Sequence, residues 1–469
     1  MFALQKELFR LNGDFHYTRP AFTRLEPLAC IGQDESVFNC SVLHNECWTF
    51  PWRMYVNRKS SAGFSDSAPV AFLRESKDGK TWNEGRALQF HGIPENAKAF
   101  HLSVLPPSLH DLVWRLFAWV FVPEKNCIRY IRFDSSDGLV WKTENFGRPT
   151  IYHPMDKFGG GEAGFEGLIP FSLRTGKLSA SAEDIFNRRL GLSNDASTVN
   201  RLPGGGFEFM GVWLADNPQN GFHQTSWDNA PSLYRIIQRR TSPDGIDWSA
   251  PEIIFAPGER DQPKLQFYNI VASDIGKIRI GLLDRYECDR QIIEPELIYS
   301  CGRRWERPCR TAWLRLNDED GEAGIIHPSH NFVEANDCVR LYYTVSMFRH
   351  NNASLLVPHP KIRFIRGVEF PRDRYLGLNG SGRIDSPLLI FSTGKITINA
   401  DIRGEMRCEL LDINDYPIPG CTIADAVPLT GSSLSHKLHW RNGAGPVMVA
   451  AKLRMEISDG TFFRINLLN

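Results

Sequence analysis

One turn-forming motif recurs along the sequence and limits the folds that the chain can adopt. In each copy a Ser, an Asp, a Gly and a Trp follow the pattern S-x-D-G-x-x-W, directly after a segment rich in aromatic and β-branched residues. Because Gly accepts positive φ and Asp can hydrogen-bond its own turn backbone, each copy predicts a hairpin turn at the end of a strand. Three complete copies and a shortened fourth occupy residues 76–82, 135–141, 242–248 and 300–305. Such recurrence predicts a repeat architecture.

A second pattern marks the first strand of each repeat. Residues 38–43 read FNCSVL and residues 100–105 read FHLSVL. Comparable segments occur five times, anchored on Asn39, His101, Asp195, Tyr268 and His327. Four-stranded antiparallel units repeated radially are typical of β-propellers, in which closure protects the sheet edges. The sequence therefore predicts an all-β chain with a five-bladed β-propeller. The alternative is a β-sandwich with coincidental turns.

The pattern changes near residue 370. Short strands that alternate apolar and polar residues follow without the turn motif, and this period of two is typical of a β-sandwich. We therefore predict a propeller over residues 1–365 and a C-terminal β-sandwich over residues 366–469. The length also favours two domains, because 469 residues exceed what one hydrophobic core usually supports.

Charge and composition narrow the choice of partners. Lys and Arg together number 54, as do Asp and Glu, so the net charge gives no reason to expect nucleic acid or an acidic membrane as the partner. No segment approaches the roughly 20 apolar residues that span a bilayer. The ten Cys are scattered without a C-x-x-C pair. We expect a soluble protein, cytoplasmic as the sequence is given, with secretion and the oligomeric state left open, and no cofactor.

A five-bladed propeller with these turns, followed by a sandwich, resembles the invertase and levanase family of glycoside hydrolases, and its blades resemble those of arabinanases and β-xylosidases. The turn motif is similar to the Asp-box of sialidases. The resemblance implies a carbohydrate substrate and hydrolysis of a glycosidic bond. It also implies an acidic residue in each of the first three blades, where this chain has Asn39, His101 and Asp195. Two of the three family carboxylates are therefore absent from the aligned positions.

Three acidic residues are the catalytic candidates, since glycoside cleavage typically uses one carboxylic acid and one carboxylate. Asp195 lies in the predicted innermost strand of the third blade, with a turn or capping Asp as the alternative. Glu294 enters the third strand of the fourth blade beside a Pro, with an exposed loop Glu as the alternative. Glu322 precedes the inner strand of the fifth blade, with a solvated turn as the alternative.

The predicted substrate-binding residues lie on the inner strands or on loops at the same end of the blades. They are His101, Tyr268, Asn269, His327, Arg285, Asp261, Glu166 and Trp227. For Arg285, an ion pair with a neighbouring carboxylate is the alternative to a binding role. Glu166 lies in a Gly-rich insertion, and Trp227 suits stacking on a sugar face. No metal site is predicted, although the topology allows His101 and His327 to hold an axial cation.

The leading hypothesis is a glycoside hydrolase that cleaves a neutral or weakly charged oligosaccharide with a pair of carboxylates. Furanosides with fructosyl or arabinosyl units come first among substrates because of the resemblance. Two alternatives remain. The propeller could bind glycans without catalysis, or it could be a sialidase-like hydrolase of acidic sugars, which would need several Arg side chains at the site.

Overall fold

The architecture comes from a computed structural model. It describes residues 1–28, 35–58, 70–122, 127–147, 151–152, 191–216, 233–302, 304–347, 349–350, 363–392, 396–441 and 448–467. Within these ranges the chain forms strands and two 3-10 helices, Lys6–Leu8 and Asp318–Asp320, with no α-helix. No helix of the described residues has the length and apolarity to cross a membrane. The all-β prediction is therefore confirmed.

The chain divides into two compact units. The larger unit comprises Arg24–Val333 and Leu341–Val368, and the smaller unit comprises Met1–Thr23, Glu334–Arg340 and Glu369–Asn469. The predicted division at residue 365 differs from this at Glu334–Arg340 and in the N-terminal segment. In the N-terminal segment the reason is that β1 (Arg10–Thr18) pairs along its whole length with a strand that begins at Gly377, far away in the sequence.

Within the described residues, the larger unit contains five mainly antiparallel groups of strands, which we call meanders and which follow one another along the chain. One parallel pairing inside a meander joins Gln89–His91 to Val140–Lys142. The first meander contains β3 (Glu35–Ser36), β4 (Val42–His44), β5 (Trp52–Arg58), β6 (Val70–Ser76) and β7 (Arg86–Ala87). The second contains β8 (Gln89–His91), β9 (Lys98–Leu105), β10 (Trp114–Val122), β11 (Cys127–Ser135), β12 (Val140–Lys142) and β13 (Ile151–Tyr152). The third contains β14 (Gly191–Arg201), β15 (Phe207–Asp216), β16 (Leu233–Ser242) and β17 (Glu252–Phe255).

The fourth and fifth meanders share one sheet through a single parallel pair, Ile293 with Ile325. The fourth contains β18 (Leu265–Ile275), β19 (Ile278–Glu287), β20 (Ile292–Ser300) and β21 (Trp305–Glu306). The fifth contains β22 (Ile325–Pro328), β23 (Val333–Ala335), β24 (Cys338–Ser346) and β25 (Arg363–Pro371), and its outer edge is β2 (Thr23–Arg24). The start of the chain therefore completes the last meander.

Hydrogen bonds from the inner strands, or from residues next to them, link the meanders in cyclic order. The first meets the second where Ser41 N donates to Leu102 O at 3.0 Å. The remaining bonds are Val199 N to Ser103 Oγ (3.1 Å), Thr198 Oγ1 to Ile270 O (3.0 Å), Phe332 N to Ser273 Oγ (2.9 Å) and His330 N to Cys40 O (2.9 Å). The last of these joins the fifth meander to the first, so the contacts form a closed cycle. A strand whose meander lies between two other meanders can be buried on both faces. In β10, of the second meander, seven of nine residues are buried.

The recurrent turn motif has the same geometry in its three complete copies. In the second copy Ser135 Oγ accepts the N–H of Gly138 at 2.9 Å, and Asp137 Oδ1 accepts the N–H groups of Leu139 and Val140 at 2.8 and 3.0 Å. Each glycine adopts positive φ, 69°, 79° and 77° along the chain. Burial acts to raise the pKa of the three Asp residues, but these hydrogen bonds outweigh it, so the pKa of each is lowered.

Each turn also contacts a tyrosine or phenylalanine from the preceding meander. Tyr342 donates its hydroxyl hydrogen to Gly79 O at 2.6 Å, and Tyr55 donates to Gly138 O at 3.1 Å. A Cβ on Gly245 would lie 2.7 Å from the ring of Phe117. The turns therefore join neighbouring meanders as well as closing their own hairpins.

The Ser135→Ala variant tests this role of the turn. The substitution removes the acceptor of the buried Gly138 N–H, so we expect the free energy of unfolding to fall by about 1–2 kcal/mol. Urea unfolding followed by fluorescence measures the change. Ser136→Ala in the same turn is the control, because Ser136 is exposed. Equal stability of both variants would contradict the role given to Ser135.

The smaller unit contains one six-stranded sheet. Its strands are β1, β26 (Gly377–Asp385), β27 (Leu389–Ser392), β28 (Ile396–Leu411), β29 (Leu429–Lys437) and β30 (Met448–Leu467), in the order β1-β26-β30-β28-β29 with β27 against β30. One face buries an apolar core that includes Leu378, Ile398, Met406, Leu453 and Phe462. The C-terminal β-sandwich and the five-bladed propeller remain predictions.

Candidate functional site

The inner strands of the larger unit are irregular at the positions that the sequence alignment singled out. Asn39 and His101 have φ values of 52° and 56°, a conformation uncommon for residues with a Cβ. The register of β18 against β19 shifts between Phe267 and Asn269, that is, at Tyr268. A bulge breaks the alternation of a strand and redirects a side chain. These anchors therefore share a local distortion as well as a place in the repeat.

Side chains from four meanders meet beside these positions. The rings of Phe38 and His327 stack with centroids 4.0 Å apart and an interplanar angle of 21°. Phe38 also meets His101 edge-on at 5.0 Å, and Tyr268 lies 5.5 Å from His327. With Asp284 these four residues form what we call the inner cluster. The structure therefore brings together His101, Tyr268 and His327, which the sequence analysis placed among the binding residues.

Asp284 and His327 form a hydrogen-bonded pair within the inner cluster. His327 Nδ1 lies 3.0 Å from Asp284 Oδ2, and the Asp284 side chain has no exposed surface, whereas 13% of the His327 side chain is exposed. Burial raises the pKa of Asp284 well above its usual value, while the side chain of Asn269, its partner across the strands, opposes the shift. Burial, Arg363 and His101 lower the pKa of His327. Both shifts favour the uncharged form of the pair.

Further polar groups surround the inner cluster. Asn39 is fully buried, and within the described residues neither its amide nitrogen nor its amide oxygen has a hydrogen-bond partner. The hydroxyl of Tyr268 lies 3.1 Å from His350 Nε2, and the guanidinium of buried Arg235 lies 5.1 Å from the Tyr268 ring. Asn269 is likewise buried. The site thus combines aromatic faces with amide, imidazole and hydroxyl groups that can bind a polar ligand.

Glu322 does not lie in an accessible site. Its side chain has no exposed surface, and its Oε1 accepts from the Tyr343 hydroxyl at 2.9 Å and from Arg366 at 3.1 Å. Its Oε2 accepts from Arg24 at 3.2 Å. In the structure the Glu322 carboxylate is held by two guanidinium groups and a hydroxyl, and its catalytic role stays a prediction.

Asp261 and Arg285 belong to a second network of ion pairs. Asp261, 2% exposed, is held by Arg307 at 2.7 Å and Arg310 at 3.1 Å. Arg307 also binds Glu296, which lies 3.5 Å from Arg285. Arg285 therefore has the ion-pair partner that the sequence analysis gave as its alternative, and the binding roles of Arg285 and Asp261 stay predictions.

Glu294, the third predicted catalytic residue, is half-buried on β20, and its Oε1 accepts from Leu316 N at 2.9 Å. Within the described residues it forms no hydrogen bond or ion pair with the inner cluster. Asp195 lies on β14, but its side chain falls outside the described residues, as do Glu166 and Trp227. No group of three or more His, Cys, Asp or Glu that could hold a metal ion occurs in the described part of the chain.

Sequence reasoning missed Asp284 and Phe38 as members of the site. The sequence analysis did not single out Asp284, which lies within β19, directly opposite Asn269. The available signal was Asn269 itself, because a strand residue opposite a predicted site residue shares its face. Phe38 precedes the anchor Asn39, which has positive φ, by one position, and its ring stacks on His327.

Comparisons with known proteins give structural likeness only. Neither a protein-family model nor a curated protein matches the chain. Among solved structures, one described as a glycoside hydrolase aligns with a TM-score of 0.47 and 11% identity over 75% of this chain and 92% of that chain. A family 43 arabinoxylan arabinofuranohydrolase from Bacillus subtilis in complex with cellotetraose aligns with a TM-score of 0.43 and 11% identity over 94% and 96%. An N-acetylgalactosamine deacetylase from F. plautii in complex with blood group B trisaccharide aligns with a TM-score of 0.44 and 10% identity over 78% and 97%. At these values the likeness assigns neither a family nor an activity to this chain.

Proposed function

We propose that the larger unit is a five-bladed β-propeller that carries a glycoside hydrolase site at the inner ends of its blades. The closed cycle of hydrogen bonds between neighbouring meanders supports the ring, because the fifth meander bonds to the first through His330 and Cys40. Completion of the fifth meander by β2, from the start of the chain, supports it as well.

The observation that carries the proposal is the inner cluster. Four meanders contribute to it, and it joins two aromatic faces, Phe38 and Tyr268, to the polar groups of His101, His327 and Asp284. Aromatic faces stack on sugar rings and convergent polar groups bind their hydroxyls, so this composition suits a carbohydrate. The neutral charge balance of the chain favours a neutral or weakly charged oligosaccharide, and the resemblance favours furanosides.

Glycosidic cleavage needs an ionisable acid and usually a second carboxylate. Asp284 supplies one carboxyl group within the inner cluster. Asp195 keeps its predicted role as the second, on the strength of its place in the repeat. Glu322 is not part of this proposal, because it is bound in its own ion cluster.

Hydrolysis of a panel of 4-nitrophenyl glycosides, with arabinofuranosides, xylosides and fructosides first, tests the proposal. We expect the wild type to release nitrophenol and the Asp195→Asn variant to lose about 10²–10⁴-fold in kcat/KM, the range typical of a proton-transfer group. Asp289→Asn is the control, since Asp289 is 59% exposed and pairs with Lys264. No turnover by the wild type on any member would contradict the proposal.

A glycan-binding protein without catalysis is the second candidate. Asn39 and His101 favour it, because the resemblance implies carboxylates at these positions. Titration calorimetry with oligosaccharides separates the two functions. A binding protein keeps its affinity in the Asp195→Asn and Asp284→Asn variants and shows no turnover, whereas an enzyme loses turnover in these variants while it still binds.

A sialidase-like function has less support. Three arginines each lie near a carboxylate: Arg53 at 3.6 Å from Glu75, Arg58 at 2.6 Å from Glu35 and Arg285 at 3.5 Å from Glu296. Arg53 in addition lies over the ring of Trp48. Their charges are thus already compensated within the protein.

A further inference from the structure

We infer that His327 is the catalytic residue that gives a proton to the leaving oxygen, and that Asp284 is the positioning residue behind it. The inference deepens the proposed glycoside hydrolase function and rests on it. It replaces direct proton donation by a carboxylic acid with donation by an imidazole, because the carboxyl group of the inner cluster lies behind the histidine.

Exposure decides which member of the pair a substrate can reach. The Asp284 side chain has no exposed surface, so it has no direct contact with a ligand in solution. The His327 side chain is 13% exposed, and its Nδ1 lies 3.0 Å from Asp284 Oδ2. With Nδ1 engaged by the carboxyl group, Nε2 is the nitrogen left to serve a substrate.

The protein also fixes the plane of the imidazole. Phe38 stacks on His327 at 4.0 Å with an interplanar angle of 21°, and Tyr268 lies 5.5 Å away on another strand. His327 and Asp284 both belong to strands, β22 and β19. A general acid must be held in one orientation for efficient transfer, and a buried carboxyl group on the far nitrogen is a recurrent means of holding it.

A second buried histidine shows what a structural role looks like in the same chain. His330, three positions after His327, is 3% exposed, and its Nδ1 lies 2.8 Å from the hydroxyl of Ser41. A serine hydroxyl can hold an imidazole but does not supply the ionisable carboxyl group that Asp284 gives to His327. The two histidines therefore differ in chemistry, because Ser41 is the partner of His330 and Asp284 is the partner of His327.

The proton transfer balances as follows. The glycosidic C–O bond breaks, its electron pair passes to the leaving oxygen, and that oxygen takes the proton from His327 Nε2. The proton shared between Asp284 and Nδ1 moves to Nδ1, so the imidazole stays neutral and Asp284 becomes the carboxylate. A water molecule adds its oxygen to the anomeric carbon, and its released proton passes to solvent and returns to the pair. The raised pKa of Asp284 and the lowered pKa of His327 favour the neutral starting form.

The test compares leaving groups on one sugar, the one that the wild type cleaves fastest as its 4-nitrophenyl glycoside. For His327→Gln we expect kcat/KM on the phenyl glycoside to fall by about 10²–10⁴-fold, and on the 2,4-dinitrophenyl glycoside by less than about tenfold, because the dinitrophenolate leaves without protonation. Asp284→Asn should show the same split with a smaller loss. Retained cleavage of the dinitrophenyl glycoside also reports that each variant is folded.

The matched control is Asp274→Asn. Burial likewise raises the pKa of Asp274, but its partner is Arg279 at 3.0 Å and it lies outside the inner cluster. We expect equal rates for this variant and the wild type on both glycosides. Equal losses on both glycosides in His327→Gln and Asp284→Asn would overturn the inference and leave the hydrolase function standing. A wild type that cleaves none of the glycosides would overturn both.

Discussion

The Glu322→Gln variant should lose about 3–5 kcal/mol of free energy of unfolding. The carboxylate is fully buried and compensates the charges of Arg24 and Arg366, while it accepts a third hydrogen bond from Tyr343. Glutamine keeps the shape but not the charge, so two guanidinium groups lose their nearest counter-ion. The nearby Asp320, at 3.7 and 3.5 Å from the same arginines, is half-buried and compensates only in part.

Urea unfolding at neutral pH measures this loss. Glu319→Gln is the control, because Glu319 is exposed in the 3-10 helix Asp318–Asp320 that precedes Glu322, and its substitution should change stability by less than about 0.5 kcal/mol. The two variants also separate structure from catalysis. If Glu322→Gln proved as stable as the wild type but inactive on glycosides, the predicted catalytic role of Glu322 would be supported.

Stability should fall as the pH decreases from about 6.5 to about 4, and His330 should account for about 3 kcal/mol of that fall. Burial, aided by Arg279 and opposed by the backbone of Val199, lowers the pKa of His330 to about 4. Between this value and the ordinary pKa of 6.5 the unfolded chain binds a proton that the folded chain does not. The contribution is therefore fully present above pH 6.5 and is lost as the pH falls towards 4.

The His330→Gln variant isolates this contribution. Glutamine can keep a hydrogen bond to Ser41 but does not titrate, so the variant should lose less stability between pH 6.5 and pH 4 than the wild type. Unfolding curves at several pH values measure the difference. His110→Gln, at an exposed site, should follow the wild type. A curve for His330→Gln parallel to the wild-type curve over this range would contradict the assignment.

The sequence predicted the parts of the fold that depend on local, repeated chemistry. The three S-x-D-G-x-x-W turns form the same hydrogen bonds because Ser, Asp and Gly act within a few residues of one another. The alignment of inner strands likewise identified His101, Tyr268 and His327, which meet in the structure. In both cases the local sequence pattern was sufficient for the prediction.

Interactions between distant segments could not be predicted in this way. Arg24 binds Glu322 across 298 positions, and no local pattern distinguishes this carboxylate from one in a solvated turn. The pairing of β1 with β26 has the same character, since neither strand signals its partner. Asp284 was not singled out because its place in the inner cluster depends on a partner in another meander, His327.

A crystal structure of the Asp284→Asn variant with bound oligosaccharide tests most directly whether the inner cluster is the site of function. The ligand should be the oligosaccharide that the wild type hydrolyses fastest. We expect a sugar ring at the cluster, with its glycosidic oxygen within hydrogen-bond distance of His327 Nε2 and a ring face near Phe38 or Tyr268. A sugar bound at another part of the molecule, with the inner cluster empty, would contradict the account.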